Sequence, residues 1–541
     1  MRRLVPLGVA LACFAFYVAL AVPGVYWLDS SEFAAAAWSL GVAHPPGHPL
    51  MAVWSRLFTF LPFGSIGFRV AIGQAVAAAL AAGALAVLAR DLTERLGVGE
   101  RAASWLGAAA AGIFALSYGL AFHAVRPEVY ALSAVATLGA AACALRGSLR
   151  GWAAAALLIG LGLANHHLLA LAGAAPLLGL ALAERRLGAR GWALVLTLGA
   201  LALGCYLYVP LRAARGPMVD WGHATTASQF WWLVSARAFQ KSVHRAADVP
   251  LAFEAIRELG LPAAMCALGG LLALLRTPAT RRIAAVLAAE IAFFTAASAL
   301  VGFDAANPDS HGYLAGAMAF AAATAVVFPA AILLALRDRS PRAAAICAAL
   351  VAAGCVLAQG LRNPGRFSLA GAYAADRVFA AAVSEPPPRA VVHSDYFQTV
   401  FGFWYEQTVE GARPDLTLHH PRFAAGALPA EARDRPSVHE FDLDTPPVLA
   451  ERLHPIGLLY REGRRAVASD FVLQDATWDR LAEDTEDPLA RDYLLWQAYL
   501  GAEFRCRLGF REAGQRALDR ATWLGAGQTP EVVALRSHCQ P

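Results

Sequence analysis

Long uninterrupted apolar segments dominate this chain, and they restrict the architectures that it can adopt. A helix needs roughly 20 apolar residues to cross a bilayer, because each residue advances it by about 1.5 Å. With 58% hydrophobic and only 16% charged residues, the composition excludes an ordinary soluble protein. We therefore predict a mostly α-helical polytopic membrane protein with about 11 transmembrane helices. They are predicted at 4–27, 68–89, 103–122, 128–145, 151–167, 168–183, 191–211, 258–275, 283–301, 313–336 and 343–361.

The arginine distribution predicts the orientation of these helices. Cytoplasmic loops of membrane proteins are enriched in Lys and Arg. Alternate loops, counted from the N-terminus, hold Arg2, Arg3, Arg90, Arg95, Arg101, Arg146, Arg150, Arg185, Arg186, Arg190, Arg276, Arg281, Arg282, Arg337, Arg339 and Arg342. The N-terminus is therefore predicted to be cytoplasmic, and the first loop and the C-terminal region to be outside. The net charge of +5 is too small to indicate a nucleic-acid partner.

The N-terminal segment allows a second interpretation. Residues 1–22 fit a secretory signal peptide, with Ala19-Leu20-Ala21 as the cleavage site. The apolar run continues to Trp27, however, and Asp29 follows directly, which favours a retained first helix.

The first outer loop, residues 28–50, holds an unusual set of polar residues. Asp29 and Glu32 precede an Ala-rich helix, and carboxylates beside hydrocarbon are costly, which indicates a functional site. The same pattern also fits a capping box, in which Asp29 and Glu32 bond to first-turn backbone groups. His44 and His48 are four residues apart, but Pro45-Pro46-Gly47 prevents a helix between them. They therefore do not form a zinc pair on one helix face.

Several motifs resemble those of a bacterial family of membrane proteins related to the animal transmembrane protein O-mannosyltransferases, in the GT-C class. The most specific is the first loop, where Leu28 replaces the glycine of the family signature and His44-Pro-Pro-Gly-His48 follows. The others are Arg126-Pro-Glu128-Val-Tyr130, Gly162-Leu-Ala-Asn165-His166, Val209-Pro-Leu-Arg212 and Asp220-Trp221-Gly222. The family continues the last motif with Asp-Pro, where this chain has His223-Ala224.

The resemblance implies a reaction at the outer face of a bacterial inner (plasma) membrane. A polyprenyl-phosphate sugar would donate a hexose, mannose in the related enzymes, to a hydroxyl of a protein Ser/Thr or a glycan. The catalytic residues would be Asp29, as the general base, and Glu32. Donor and acceptor would contact His44, His48, Arg126, Glu128, Tyr130, Asn165, His166, Arg212 and Trp221, with Arg212 holding the donor phosphate. No metal ligands are assigned, and a requirement for a divalent metal is left open.

The C-terminal region has a different pattern from the rest of the chain. After residue 362, a strand at 389–393, a helix at 398–410 and a strand at 415–419 predict a βαβ unit, with a further strand at 456–460. From 492 the pattern indicates a helical hairpin of tetratricopeptide type, and a disulfide between Cys506 and Cys539 is an open alternative. We therefore expect a GT-C-like catalytic domain at 1–362, an extracytoplasmic α/β domain at 363–487 and the hairpin at 488–541.

Two other functional classes fit parts of the sequence. A transporter or flippase for a lipid-linked or polysaccharide precursor would also have many helices and ionisable residues. A non-catalytic partner in polysaccharide assembly would use the hairpin for docking. The gathering of polar residues at one membrane face, rather than at the bilayer midplane, favours the transferase.

Overall fold

The structure of the protein is a computed structural model that describes residues 2–184, 187–242, 250–362, 365–420, 428, 430–484, 486–527 and 529–540. Two residues of the predicted cytoplasmic loops, Arg185 and Arg186, lie outside the described residues. So does residue 363, where the second predicted domain begins. The helices that precede residue 370 are α1 (Leu4–Leu20), α2 (Ser30–Ser39), α3 (Pro49–Thr59), α4 (Ile66–Arg95), α5 (Glu100–Ala115), α6 (Tyr118–Ala124), α7 (Tyr130–Ala144), α8 (Leu149–Leu163), α9 (His167–Glu184), α10 (Ala189–Leu203), α11 (Tyr208–Ala213), α12 (Ala227–Val234), α13 (Pro250–Leu259), α14 (Leu261–Arg276), α15 (Arg281–Leu300), α16 (Pro308–Ala325), α17 (Val327–Leu336) and α18 (Pro341–Arg362).

These helices occupy every position that the apolar pattern predicted. In the described residues, six continuous helical segments are long and apolar enough to cross a membrane, and two further pairs, α5 with α6 and α13 with α14, are bent by 73° and 102°. Helices α1, α7 and α8 are apolar but shorter. The protein is therefore a polytopic helical membrane protein, as predicted, and the exact number of spans stays a prediction.

The arginine-rich loops meet at one end of the bundle. Arg90 Nη1 donates to the carbonyl of Arg2 at 2.7 Å, Arg2 pairs with Glu94, and Arg146 lies 3.7 Å from Asp91. The N-terminus, the end of α4 and the loop after α7 are thus brought together. This arrangement fits the common cytoplasmic side predicted for them.

The C-terminal region contains the remaining elements. The helices are α19 (Ala374–Ser384), α20 (Phe397–Thr408), α21 (Pro447–Ala450), α22 (Ala468–Leu481), α23 (Pro488–Arg507), α24 (Arg511–Ala521) and α25 (Pro530–His538). The strands are β1 (Val391–His393), β2 (Thr417–His419), β3 (Ser437–His439), β4 (Leu453–Pro455) and β5 (Tyr460–Glu462).

The five strands form one mixed sheet in the order β2-β1-β3-β5-β4. Strand β1 is parallel to both β2 and β3, and β5 is antiparallel to β3 and β4. Strands β1 and β2 with α20 are the predicted βαβ unit. The strand predicted at 456–460 is wrong: residues 456–459 form the turn between β4 and β5, where Gly457 has a φ of +143° that disfavours other residues.

The last part of the chain folds as the predicted helical hairpin. Helices α23 and α24 pack against each other along their length, and the buried Phe504, Ala517 and Leu518 form part of their apolar contact. Cys506 and Cys539 are joined by a disulfide, with their Cα atoms 5.4 Å apart. The disulfide ties α25 to the hairpin, and it resolves the alternative that the sequence left open.

Candidate active site at one end of the bundle

The two carboxylates of the first loop lie on either side of one imidazole. Glu32 Oε2 is 2.6 Å from His44 Nδ1, and Asp29 Oδ2 is 3.7 Å from Nε2 of the same ring. The Glu32 side chain is fully buried, whereas that of Asp29 is 33% exposed. The arrangement leaves Asp29 as the carboxylate that a ligand entering from the open side would meet.

The helix that carries these residues begins differently from the capping-box interpretation. Asp29 precedes α2 in a helical backbone conformation, and its side chain makes no capping hydrogen bond. Glu32 does not bond back to the helix start. It accepts instead from the backbone N–H of His44 at 2.8 Å and from Trp221 Nε1 at 2.5 Å. The polar chemistry of both carboxylates is thus directed into the site.

Packing of α2 explains why its sequence is rich in alanine. Phe33 and residues 34–37 are completely buried, since α2 lies against α3, α4 and α20. Small side chains allow these helices to approach closely. A backbone bridge between Val42 and Asp220, with Trp221 N donating to the Val42 carbonyl at 3.2 Å, brings the Asp220-Trp221-Gly222 motif alongside.

The local charges make His44 a cation at neutral pH. Burial works to lower the pKa of His44, but the negative charges of Glu32 and Asp29 outweigh it and raise that pKa to about 9. The pKa of Asp29 is raised, chiefly by burial, with His44 acting in the opposite direction and Glu32 adding to the rise. An ionised Asp29 in this place is a stronger base than an ordinary surface carboxylate.

A second charged group stands beside the first. Arg126 is completely buried. Its Nη2 pairs with Asp309, and it also lies 3.3 Å from Glu128 Oε1 and 3.1 Å from His123 Nδ1. Its Nε and Nη1 have no hydrogen-bond partner among the described residues. The positive charge of Arg126 lowers the pKa of Asp29, against the larger effect of burial. A buried guanidinium with unused donors is suited to an anionic ligand.

Most of the remaining predicted residues surround these two groups. The Asn165 side chain donates to the Val129 carbonyl at 2.8 Å, and its backbone carbonyl is 2.5 Å from His48 Nδ1. The ring centroids of His48 and His166 are 5.8 Å apart, and those of His166 and Tyr130 are 6.0 Å apart. Asn165, His48, His166 and Tyr130 therefore form an aromatic and polar wall that connects the first loop with α7.

Arg212 occupies a different place from Arg126. Its Nε and Nη2 donate to the carbonyls of Leu40 and Ser39 at 2.7 and 2.9 Å, at the C-terminal end of α2. Both contacts neutralise the partial negative charge at that helix end. The predicted contact of Arg212 with a phosphate stays a prediction.

Residues from the C-terminal region hold the chain just before Asp29, and sequence reasoning missed all of them. Asp487 accepts from Tyr26 OH at 2.9 Å and from Trp27 Nε1 at 3.2 Å. Gln398 Oε1 accepts from the Leu28 N–H at 2.9 Å. The partners are separated by more than 350 residues in the sequence, and no local pattern relates them.

Asp376 and Asp309 were missed as site residues for different reasons. Asp376 Oδ1 accepts from the Val25 N–H at 3.0 Å, at the start of the same segment. Asp309 lies in a polar run at the N-terminal end of α16, a signal that could have assigned it beside Arg126.

Two groups of side chains have the donor atoms that a divalent metal would need. Ligand atoms of Asp29, Glu32 and His44 lie within 4.8 Å of one another, as do those of His123, Glu128 and Asp309. Oxygen and imidazole donors suit Zn²⁺ or Mn²⁺. In the first group, however, a metal would have to displace the proton of His44, and in the second it would compete with Arg126.

Comparison with known proteins relates the site region to one family. Residues 29–186 match the family described as the protein O-mannosyl-transferase TMEM260 N-terminal domain. Over 106 residues the chain is 37% identical to protein O-mannosyl-transferase TMEM260 of Mus musculus. This match covers 19% of the chain and only 14% of the length of the mouse protein.

The fold is similar to that of a solved bacterial membrane protein. ArnT from Cupriavidus metallidurans, bound to undecaprenyl phosphate, superposes with a TM-score of 0.51 at 14% identity, over 86% of this chain and 98% of ArnT. The apo form of ArnT gives a TM-score of 0.49 over the same shares. The chain is thus a polytopic membrane protein whose fold is similar to that of ArnT, and its residues 29–186 match the TMEM260 N-terminal domain family.

Proposed function

We propose that the protein is a membrane glycosyltransferase that moves a hexose from a polyprenyl-phosphate donor to a hydroxyl acceptor. The observation that carries this proposal is the arrangement of Asp29, His44 and Glu32 beside the unused donors of Arg126. Among its relatives, TMEM260 is named a protein O-mannosyl-transferase, and ArnT was solved with undecaprenyl phosphate. These names support mannose as the hexose and a protein Ser/Thr or a glycan as the acceptor.

In this reaction Asp29 is the general base. The acceptor hydroxyl gives its proton to Asp29 as its oxygen attacks the anomeric carbon. The bond between that carbon and the phosphate oxygen breaks, and polyprenyl phosphate leaves as the product. General-base assistance of this kind accelerates a reaction by about 10²–10⁴-fold.

His44 and Glu32 position that base. The His44 imidazolium holds Asp29 in its ionised form, and Glu32 fixes the ring through Nδ1 and through the backbone N–H of His44. Glu32 is itself oriented by Trp221. This division of labour explains why one carboxylate is exposed and the other is buried.

Arg126 provides the principal contact for the donor phosphate in this proposal. Its Nε and Nη1 each keep an unused N–H that can donate to a phosphate oxygen, while Asp309 and Glu128 balance its charge before the donor arrives. Arg212 Nη1 adds a second contact at the end of α2. His48, His166, Tyr130 and Asn165 line the space between donor and acceptor.

The site belongs, in this proposal, to the outer face of a bacterial inner membrane. With the arginine-rich end of the bundle assigned to the cytoplasm by its charge, Asp29 and the C-terminal region are assigned to the outside. Nucleotide sugars are cytoplasmic, whereas a lipid-linked sugar is delivered within the bilayer. The location and the proposed donor are therefore consistent with each other.

A transfer assay tests the proposal and separates it from a transporter or flippase. Purified protein in detergent is incubated with a polyprenyl-phosphate [³H]mannose donor, with and without a Ser/Thr-containing peptide or a glycan acceptor. A transferase releases polyprenyl phosphate and labels the acceptor. Donor that stays intact with every acceptor and hexose tested, although it binds, would contradict the proposal and favour transport.

A further inference from the structure

Three histidines lie in one row across the parallel strands of the C-terminal sheet. In the register of the sheet, His393 of β1 is opposite His419 of β2 on one side and His439 of β3 on the other. Side chains at matched positions of adjacent parallel strands point to the same face. All three are the last residues of their strands, at the carboxyl edge where ligands bind in open α/β sheets.

One pair of ring nitrogens in the row lies close to the separation of two ligands on a shared ion. His393 Nδ1 lies 3.0 Å from His419 Nδ1, with the ring planes at 79°. Two imidazole nitrogens bound to one tetrahedral Zn²⁺ at about 2.05 Å are roughly 3.3 Å apart. The ring of His439 is stacked on that of His393 at 4.6 Å, with the planes only 11° apart.

A carboxylate orients the third imidazole. His439 Nε2 is 3.3 Å from Glu462 Oε2, on the neighbouring strand β5. This contact leaves Nδ1 of His439 as the nitrogen that can serve another ligand. Histidines that bind metals commonly donate their other ring N–H to a carboxylate in this way.

All three residues are half-buried, which leaves the row open to an approach from solvent.

We propose that His393, His419 and His439 form a binding site for a transition-metal ion of the zinc class. His393 and His419 bind through Nδ1, His439 leaves its stacked position on His393 to add its own Nδ1, and Glu462 holds that ring from behind. The site is in the sheet of the C-terminal domain and is separate from the groups around Asp29 and Arg126. It stabilises the edge of the sheet, and it does not depend on the proposed transferase activity.

A Co²⁺ titration of the full-length protein, stripped with a chelator and kept in detergent, tests the site. Imidazole-bound Co²⁺ gives visible absorption bands, and we expect bands from one ion that Zn²⁺ removes. His393→Ala and His419→Gln should each weaken Co²⁺ binding at least tenfold. Glu462→Gln should weaken it by about 10–100-fold, the range for loss of a carboxylate behind a ligand.

Two control variants show which site the ion occupies. His454→Ala changes another histidine of the same domain, on β4, and should leave binding unchanged. Asp29→Asn should also leave it unchanged. Bands that disappear in Asp29→Asn but persist in His393→Ala would overturn the proposal.

A measurement on the unaltered protein covers the case in which the variants do not fold. Diethyl pyrocarbonate modifies neutral histidines, and mass spectrometry identifies the modified positions. We expect Zn²⁺ to protect His393 and His419, but not His454. Equal modification with and without Zn²⁺, or a protein without Co²⁺ bands, would show that the row is only a hydrogen-bonded structural feature.

Discussion

Leu28 has a backbone conformation that normally selects glycine. Its φ is +63°, in the left-handed region, and it occupies the position where the family signature has glycine. For a residue with a Cβ atom, this backbone conformation is less stable by roughly 1–2 kcal/mol. The structure thus explains the glycine of the signature, and it shows that Leu28 adopts the same turn at a cost.

Replacement of Leu28 tests this explanation. Leu28→Ala and Leu28→Gly both remove the partly buried side chain, but only glycine relieves the backbone strain. We expect Leu28→Gly to be more stable to thermal unfolding than Leu28→Ala by about 1 kcal/mol. Equal stability of the two variants would show that the turn imposes no cost on the residue.

The pH dependence of transfer should report on His44 and Asp29. Activity should rise with pH as Asp29 becomes ionised, with a midpoint above the ordinary value of about 4 for a free carboxyl, because the pKa of Asp29 is raised. It should fall again near pH 9, where His44 loses its proton. A pH–rate profile of the wild type, with His44→Gln for comparison, measures both limbs.

His44 should also link stability to pH. Its pKa of about 9 in the folded protein is above the value of about 6.5 expected for an unfolded chain. Its contribution to stability is therefore complete below about pH 6.5 and is lost as the pH rises through 9. Melting temperatures of the wild type should converge on those of His44→Gln above that pH. A constant difference between the two proteins would contradict the assignment of His44 as a cation.

At the level of single residues, the sequence predicted the members of the site better than their contacts. Asp29, Glu32 and His44 were assigned together because costly polar residues cluster in one motif. The capping interpretation was wrong because the buried Glu32 carboxylate is stabilised by hydrogen bonds from distant partners, chiefly Trp221, which no local rule identifies. Asp487 was missed for the same reason.

At the level of elements, the C-terminal region contacts the segment 25–28 that precedes Asp29. The carboxylate of Asp487, at the N-terminus of α23, holds both Tyr26 and Trp27. Asparagine at this position can accept through only one oxygen, so one of the two contacts is lost. We expect Asp487→Asn to lower kcat by about tenfold, since a loosened base is misaligned, while the Kd of the donor stays unchanged.

A matched control is available on the same helix. Asp492 is exposed, and Asp492→Asn makes the same chemical change five residues away. It should retain full kcat. A normal kcat in Asp487→Asn, or an equal loss in both variants, would show that the contact does not position Asp29.

The elements themselves were predictable to different extents. The long helices were found because an apolar run of membrane length has few alternatives. The first two parallel strands were also found, because a helix of 12 residues separates two short β-branched or apolar runs. Strands β3, β4 and β5 are as short as β1 and β2, at three residues each, but α21, the helix between β3 and β4, has only four residues and gives no βαβ pattern.

At the level of the whole molecule, the orientation in the membrane is the main untested prediction. Single cysteines at exposed positions, in a background without the six unpaired native cysteines, can be labelled from either side. Thr225→Cys and Glu410→Cys should react from outside, and Glu100→Cys from the cytoplasm. Labelling of Thr225→Cys and Glu100→Cys from the same side would remove the site from the outer face.

The most direct test of the central claim is the transfer rate of Asp29→Asn. Asparagine has nearly the same shape but cannot accept the proton, so we expect at least a 10²-fold loss of transfer, with unchanged donor binding and melting temperature. Ser31→Ala, a buried neighbour in the same turn, should retain activity. Near-normal turnover in Asp29→Asn, or inactivity that comes with gross unfolding, would contradict the assignment of Asp29 as the catalytic base.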